Sequence, residues 1–436
     1  MPKKRRRVGR SNGWASTSTP ETSGTEESRP SSPDTAAPIR QPPVRRLWRR
    51  LLHWGPLLAM SVTGEISVSA LYCHLMWWPP LISVTAFLHF ALFLLWISLT
   101  LSNMVYAAHV GPGYVPLGWL PSDQQERDKL QYCILCQGYK APRSHHCRKC
   151  NRCVMKMDHH CPWINNCCGQ RNQAAFTKFL LFAVLGCCQA SVILAFSIYR
   201  AIFRVWYLFY GTGNEPIVYL GLYGLLSAIF GFGLAVGVIL AVGFLFVVQM
   251  RAILRNSTGI EDYIRNKAEC RSRDSPFIYP YDLGRVANFK QVFTWNGRPK
   301  GDGYWYPVVK GCDQFTLTLE QIEQKEEKRL RARPYIVTRS YSGRIFTCWN
   351  GCFVFCCQPY TEEKRLAVKP GDKLMITRGM KYWLYGELME EESTEGETEE
   401  TCSRRLERRG WFPRCCARKL TDVVVVEQTD NHVKQE

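Results

Sequence analysis

Apolar residues gather into four long runs, at 56–77, 81–108, 176–203 and 220–250, with polar stretches between them. Each run reaches the roughly 20 residues that a helix needs to cross a bilayer. The second has His89 as its only ionisable residue through Leu101, and the fourth has no charge before Arg251. The third carries Lys178 near its start, where a long side chain can reach back to the interface. The first holds Glu65 at mid-span, which costs about 2.5–3.5 kcal/mol on insertion scales. Glu65 is therefore expected to face the bundle as a tolerated polar residue or to mark a functional site, with the first reading favoured.

Other periods fill the rest of the chain. Residues 1–44 are rich in Ser, Thr, Pro and Glu and show no apolar repeat, the signature of a disordered segment. The stretch 316–333 predicts a charged, exposed helix. Short β-rich runs at 334–343, 365–377, 381–387 and 410–413, with turn residues between them, predict a small β-barrel, and the acidic stretch 387–400 predicts a loop that interrupts it. The fold class expected is a polytopic α-helical membrane protein with four transmembrane helices, a cytosolic cysteine-rich domain and a C-terminal β-barrel. The segments expected are a basic N-terminus at 1–50, helices one and two within 54–108, the cysteine-rich domain at 109–175, helices three and four within 176–250, a juxtamembrane region at 251–330, the barrel at 331–420 and a flexible tail at 421–436.

Charge adds an orientation. Lys and Arg number 56 against 37 Asp and Glu over 436 residues. Residues 1–50 hold 12 basic and 4 acidic side chains, and the 109–175 loop holds 9 and 4. The tight 77–80 link has no positive charge. Basic loops stay on the cytosolic side, so both termini and the 109–175 loop are expected there. The basic head Lys3-Lys4-Arg5-Arg6-Arg7 is similar to a nuclear-localisation signal; as a solvated cytosolic tail it needs no such role, and the apolar spans favour that reading. No secretory signal peptide is expected from the first 50 residues, which are polar and basic.

Twenty cysteines complete the picture, eight of them between Cys133 and Cys168 beside histidines. That crowding predicts metal or thiol chemistry in a reducing compartment, not a disulfide framework. The run is Cys133-x2-Cys136-x9-His146-Cys147-x2-Cys150-x2-Cys153-x4-Asp158-His159-His160-Cys161-x5-Cys167. Zinc takes four tetrahedral N/S ligands, and C-x2-C knuckles supply two thiolates each. Cys133, Cys136, His146, Cys147, Cys150, Cys153, His160 and Cys167 make eight ligands, enough for two closed sites. Asp158, His159, Cys161, His145 and Cys168 are left over, and the first three put a thiol beside a base and a group to orient that base. A purely structural zinc fold with an incidental Cys161 is the alternative.

The stretch 133–176 resembles the cysteine-rich domain of the DHHC protein S-acyltransferases (palmitoyltransferases). Asn172 and Phe176 match as well. Gly111-Pro112-Gly113 stands where that family has Asp-Pro-Gly, Asn256-Ser257-Thr258-Gly259-Ile260-Glu261 where it has Thr-Thr-x-Glu, and 281–293 with Asn288 resembles its aromatic-Asn motif. The C-terminal runs resemble an SH3 domain, through 368–372, Trp383 and 410–413. Within the family this combination is similar to the SH3-bearing, endoplasmic-reticulum kind, so a multi-pass location in that membrane is expected.

The resemblance implies ping-pong acyl transfer. Cys161 would take an acyl group from palmitoyl-CoA, with His159 as proton carrier and Asp158 orienting it, and pass it to cytosolic juxtamembrane cysteines of protein substrates. It also implies two zinc ions, one on Cys133, Cys136, His146 and Cys153 and one on Cys147, Cys150, His160 and Cys167; spacing alone permits other pairings. Arg143, Arg148, Lys149, Arg152, Lys156 and Arg171 are candidates for the coenzyme A phosphates. Gly186 falls near the far end of the family's acyl cavity. Cys348, Cys352, Cys356 and Cys357 are buried thiols, a third zinc site or acylation sites for another palmitoyltransferase. Two other classes compete: a zinc-finger nucleic-acid binder, which the apolar spans and the lack of aromatic–basic interleaving exclude as a partner class, and a silent membrane scaffold.

Overall fold

The structure is a computed structural model that describes residues 47–271, 276–344, 351–361, 363–389 and 408–420. The basic head, Cys348, most of the 387–400 stretch and the 421–436 tail lie outside these residues.

Among the described residues, four helices are long and apolar enough to cross a membrane: α2 (Trp54–Trp77), α3 (Val84–Val110), α4 (Gln173–Ile202) and α6 (Leu222–Leu254). A short α1 (Leu47–Leu51) precedes them and α5 (Arg204–Tyr210) joins α4 to α6. All four predicted runs are helical. Helices α4 and α6 extend beyond them, because polar Gln173 and the 251–254 turn continue the hydrogen-bonded ladder past the apolar limit. Ile66, Ala70, Phe93, Ile193, Leu194 and Ala235 form the centre of the bundle. Glu65 accepts hydrogen bonds from Ser69 (3.0 Å) and Ser227 (2.9 Å), so α2 and α6 share its polar cost.

Between α3 and α4 the chain folds into three two-stranded hairpins: β1 (Tyr132–Cys133) with β2 (Gly138–Tyr139), β3 (His145–Cys147) with β4 (Arg152–Val154), and β5 (His159–Cys161) with β6 (Asn166–Cys168). After α6 come α7 (Gly259–Glu269), α8 (Arg285–Val292) and α9 (Thr316–Leu330). Helix α9 covers most of the predicted charged helix but buries Leu317 and Glu320.

Farther on lie β7 (Arg333–Val337), α10 (Cys352–Cys356), β8 (Lys373–Gly379), β9 (Trp383–Leu388), β10 (Arg409–Pro413) and β11 (Ala417–Lys419). They form one antiparallel sheet in the order β10-β9-β8-β7-β11. Its pairings leave β10 and β11 unjoined among the described residues. Strand β9 runs through Leu388, so the first two residues of the expected acidic loop belong to the strand.

Candidate active site and metal centres

The hairpin module is fastened to one end of the bundle by α3. The last carbonyls of a helix have no partner within it. Here Ala107 O accepts from Asn172 Nδ2 (3.1 Å), and Ala108 O accepts from Asn166 Nδ2 (3.2 Å) and the buried Arg50 Nη1 (3.0 Å). On the other side Gly55 opens α2 against Pro162; a Cβ there would lie 2.0 Å from the Pro162 carbonyl oxygen. Only glycine permits that backbone approach.

Two groups of side chains have the geometry of metal centres. Cys133, Cys136, His146 and Cys153 form one; Cys147, Cys150, His160 and Cys167 form the other. In the second, His160 Nδ1 stands 3.6, 3.5 and 3.6 Å from the Cys147, Cys150 and Cys167 sulfurs. In the first, His146 Nδ1 stands 3.5, 3.3 and 4.0 Å from Cys133, Cys136 and Cys153. A tetrahedral zinc with ordinary bond lengths sets a sulfur-to-nitrogen edge of about 3.5 Å, so both donor sets fit that ion. In each, a C-x2-C knuckle faces a His and a Cys that pair directly across a hairpin, His146 with Cys153 and His160 with Cys167.

The sequence held a signal for this pairing that the spacing argument missed. The four residues of the second group lie 14 positions after those of the first. The repeat runs further: Ser144-His145-His146-Cys147 recurs as Asp158-His159-His160-Cys161. A third knuckle would need a thiol at 164, where Ile164 stands. Cys161 is thus the repeat's surplus thiol.

Strand β5 and the residue before it present Asp158, His159 and Cys161 together beside the ends of the spans. Cys161 is buried in one apolar cluster with Met104, Ala108, Ile164, Phe176 and Leu180. Asp158 Oδ2 lies 2.8 Å from His159 Nδ1, and Asp158 Oδ1 accepts from the Gly259 amide at 3.0 Å. Gly259 is the first residue of α7, whose N-terminus is closed by a Thr258–Glu261 capping box. The glycine that departs from the family pattern therefore still serves Asp158, through its backbone. Phe176 meets the His159 ring edge-on at 5.5 Å.

Burial is the largest single influence on His159 and opposes its charge, but the hydrogen bonds and charges of Asp158 and Cys161 together outweigh it and push its pKa up to about 10. A hydrogen bond from Cys168 lowers Cys161; burial opposes this, His159 reinforces it, and the pKa falls to about 5. Burial would raise Asp158, but His159 and the Gly259 amide hold it below the usual carboxylate range.

Gln249 near the end of α6 is a residue the sequence reading missed. It is 5% exposed, its amide nitrogen is buried without a hydrogen-bond partner, and it stands near enough to Asp158 to favour that carboxylate's charged form. Nothing in an apolar run flags one amide as special. Between the spans a cavity is lined by all four helices, with Val62, Ile66, Phe93, Trp96, Gly186 and Val238 among its walls.

Three of the six cations expected to meet phosphates are buried. Arg143 is bound to Glu261, Arg152 donates to the Val115 carbonyl, and Lys156 is 4% exposed. Arg148, Lys149 and Arg171 remain at the surface. Cys352, Cys356 and Cys357 are exposed on and beside α10, so these three are not core thiols, and no third metal group forms among the described residues.

Four spans, a Cys/His module with two metal-capable groups and an Asp-His-Cys set at the membrane end define an integral-membrane protein S-acyltransferase. The family model described as DHHC palmitoyltransferase matches residues 126–266. The palmitoyltransferase ZDHHC6 of Homo sapiens is 45% identical over 387 residues, covering 85% of this chain and 92% of that protein. The ZDHHC6 palmitoyltransferase of Danio rerio is 45% identical over 388 residues, with the same coverage. The probable protein S-acyltransferase 13 of Arabidopsis thaliana is 32% identical over 254 residues, covering 54% of this chain and 74% of that protein. The chain belongs to the DHHC palmitoyltransferase family.

Proposed function

We propose that the enzyme transfers a long acyl chain from palmitoyl-CoA to protein cysteines through a thioester on Cys161. The observation that carries this is the 2.8 Å Asp158–His159 contact beside a thiol that neither metal group uses. The Cys161 thiolate attacks the donor carbonyl, the coenzyme A sulfur leaves, and His159 gives it a proton. In the second half the substrate thiol returns a proton to His159, attacks the acyl carbonyl and releases Cys161. One thioester replaces another until the chain reaches its substrate. Asp158 holds the imidazole, as the orienting acid does in comparable sets. The inter-span cavity is the place for the hydrocarbon.

Zinc bound by Cys133, Cys136, His146 and Cys153, and by Cys147, Cys150, His160 and Cys167, supplies folding energy to the hairpin module. The basic loop and termini face the cytosol by their charge, and the resemblance of the whole chain to the SH3-bearing kind of the family favours the endoplasmic reticulum. Substrates are then proteins with cytosolic cysteines close to the membrane.

The 331–420 segment is read as SH3-like. Trp383 is fully buried and its indole donates to the Val354 carbonyl at 3.2 Å, which supports a structural or regulatory role over capture of Pro-rich peptides. Exposed Cys352, Cys356 and Cys357, with Phe353 68% exposed among them, are proposed with Cys348 as sites acylated by another palmitoyltransferase. One palmitate adds about 0.8 kcal/mol per buried CH₂.

Labelled palmitoyl-CoA tests the first reading: wild type should form a hydroxylamine-sensitive thioester and Cys161→Ser should not. Undiminished labelling of the mutant would refute Cys161 as nucleophile. Mass tagging of acylated thiols in cell-expressed Cys161→Ser tests the second. Tags should persist there and disappear when the four C-terminal cysteines are also replaced; an untagged Cys161→Ser protein ends that proposal.

A further inference from the structure

Arg143 sits in the loop before β3, and its side chain has no solvent exposure. Its guanidinium is fully engaged. Nε and Nη2 donate to the two carboxylate oxygens of Glu261 at 2.6 and 2.7 Å. Nη1 donates to the Asn256 side chain at 3.1 Å and Nη2 to the Asn256 carbonyl at 2.7 Å. Its Cζ lies 4.3 and 4.9 Å from the ring centres of Tyr281 and Tyr306, which meet each other edge-on. Glu261 in turn accepts from the Thr258 amide and the Tyr279 hydroxyl, both at 2.9 Å.

These partners bracket one turn. Asn256 and Glu261 lie on either side of Gly259, whose amide reaches Asp158. The carbonyl of Arg143 itself accepts from the Met157 amide, the residue before Asp158. Arg143 therefore grips Asp158 from both directions, by its backbone within the hairpin module and by its side chain through the turn after α6. A bidentate arginine–carboxylate fork fixes direction as well as distance, and removing one partner of a buried one leaves an uncompensated charge inside.

We infer that Arg143 is a positioning residue for acyl transfer, joined to Glu261 and Asn256 so that the Gly259 amide holds Asp158, and Asp158 holds His159, in line with Cys161. This rests on the reacting set proposed above. It also explains why a cation in a basic loop is sealed from any phosphate. The role requires a fork, which lysine reproduces only in charge.

The full-length protein in lipid nanodiscs, as wild type, Arg143→Lys, Arg143→Gln, Glu261→Gln and the Arg143→Gln/Glu261→Gln double variant, tests it. The readouts are the rate of acyl-Cys161 formation at saturating palmitoyl-CoA, the donor concentration for half-maximal rate, metal content and the thermal midpoint. The rate should fall about 10- to 100-fold, the loss expected from slight misplacement of reacting groups. The half-saturating donor concentration and the metal content should not change. Arg143→Lys should recover part of the rate, and the double variant should be no slower than the slower single one.

A wild-type rate in Arg143→Gln with intact metal overturns the inference. So does a rate that falls only in step with lost metal and a lowered thermal midpoint in every variant, Glu261→Gln included. Cys161→Ser is run alongside: if it still forms the thioester, the reacting set itself is wrong; if it is inactive while Arg143→Gln is fully active, only the positioning role fails.

Discussion

His145 and His159 occupy equivalent places in the 14-residue repeat, yet burial and nearby cations, Lys140 foremost, push His145 down to about 4 while His159 rises to about 10. The difference traces to their predecessors. Ser144 has a buried hydroxyl with no partner, whereas Asp158 bonds its histidine directly. One carboxylate thus turns a module repeat into a charged site. With Cys161 near 5 and His159 near 10, a thiolate–imidazolium pair exists between those limits. Single-turnover formation of acyl-Cys161 should therefore rise as pH climbs through about 5, stay level, and decline above about 10 as His159 loses the proton owed to the leaving sulfur. Asp158→Asn removes the group that raises His159, so its alkaline limb should move to lower pH. An unmoved limb in a pH–rate profile would exclude Asp158 from this role.

Helices α2, α3, α4 and α6 were legible as apolar runs because span length and apolarity are local properties. Glu65 was read as a tolerated polar residue; that Ser227, 162 positions away, answers it required the packed bundle. Gly186 on α4 lines the inter-span cavity, and a Cβ there would already stand 3.3 Å from the Trp96 Cβ. Gly186→Phe should overfill that space and move preference from 16- and 18-carbon donors toward 14 carbons. Competition among the three labelled donors checks this, and unchanged selectivity would place the chain's end elsewhere. The C-terminal strands were likewise visible as alternating runs with turn residues between, but their joining into one open sheet depends on partners distant in the chain.

The molecule works as one piece because the hairpin module, the ends of α2 and α3 and the turn after α6 share buried polar contacts. Metal should be integral to that arrangement. Elemental analysis of purified protein should give two zinc ions per chain; one per chain would break the pairing of the Cys/His groups. Cys147→Ala should lose the second group's metal and lower the thermal midpoint, since structural zinc and folding are linked. It should also lower acyl transfer, because β5 carries both a ligand of that group, His160, and Cys161.

Composition, periodicity and spacing by themselves determined the four spans, the inventory of eight metal ligands, the surplus thiol with its histidine and aspartate, and the resemblance that named the chemistry. All of these rest on residues close together in the chain or on the period of one element. Tertiary structure alone decided which cations are sealed inside, that the Gly259 amide serves Asp158, that Gly55 must be small, and that Arg143 faces Glu261. Those contacts join residues about a hundred positions apart; such pairs leave no period for a single sequence to display, and only folding brings their atoms within hydrogen-bond reach.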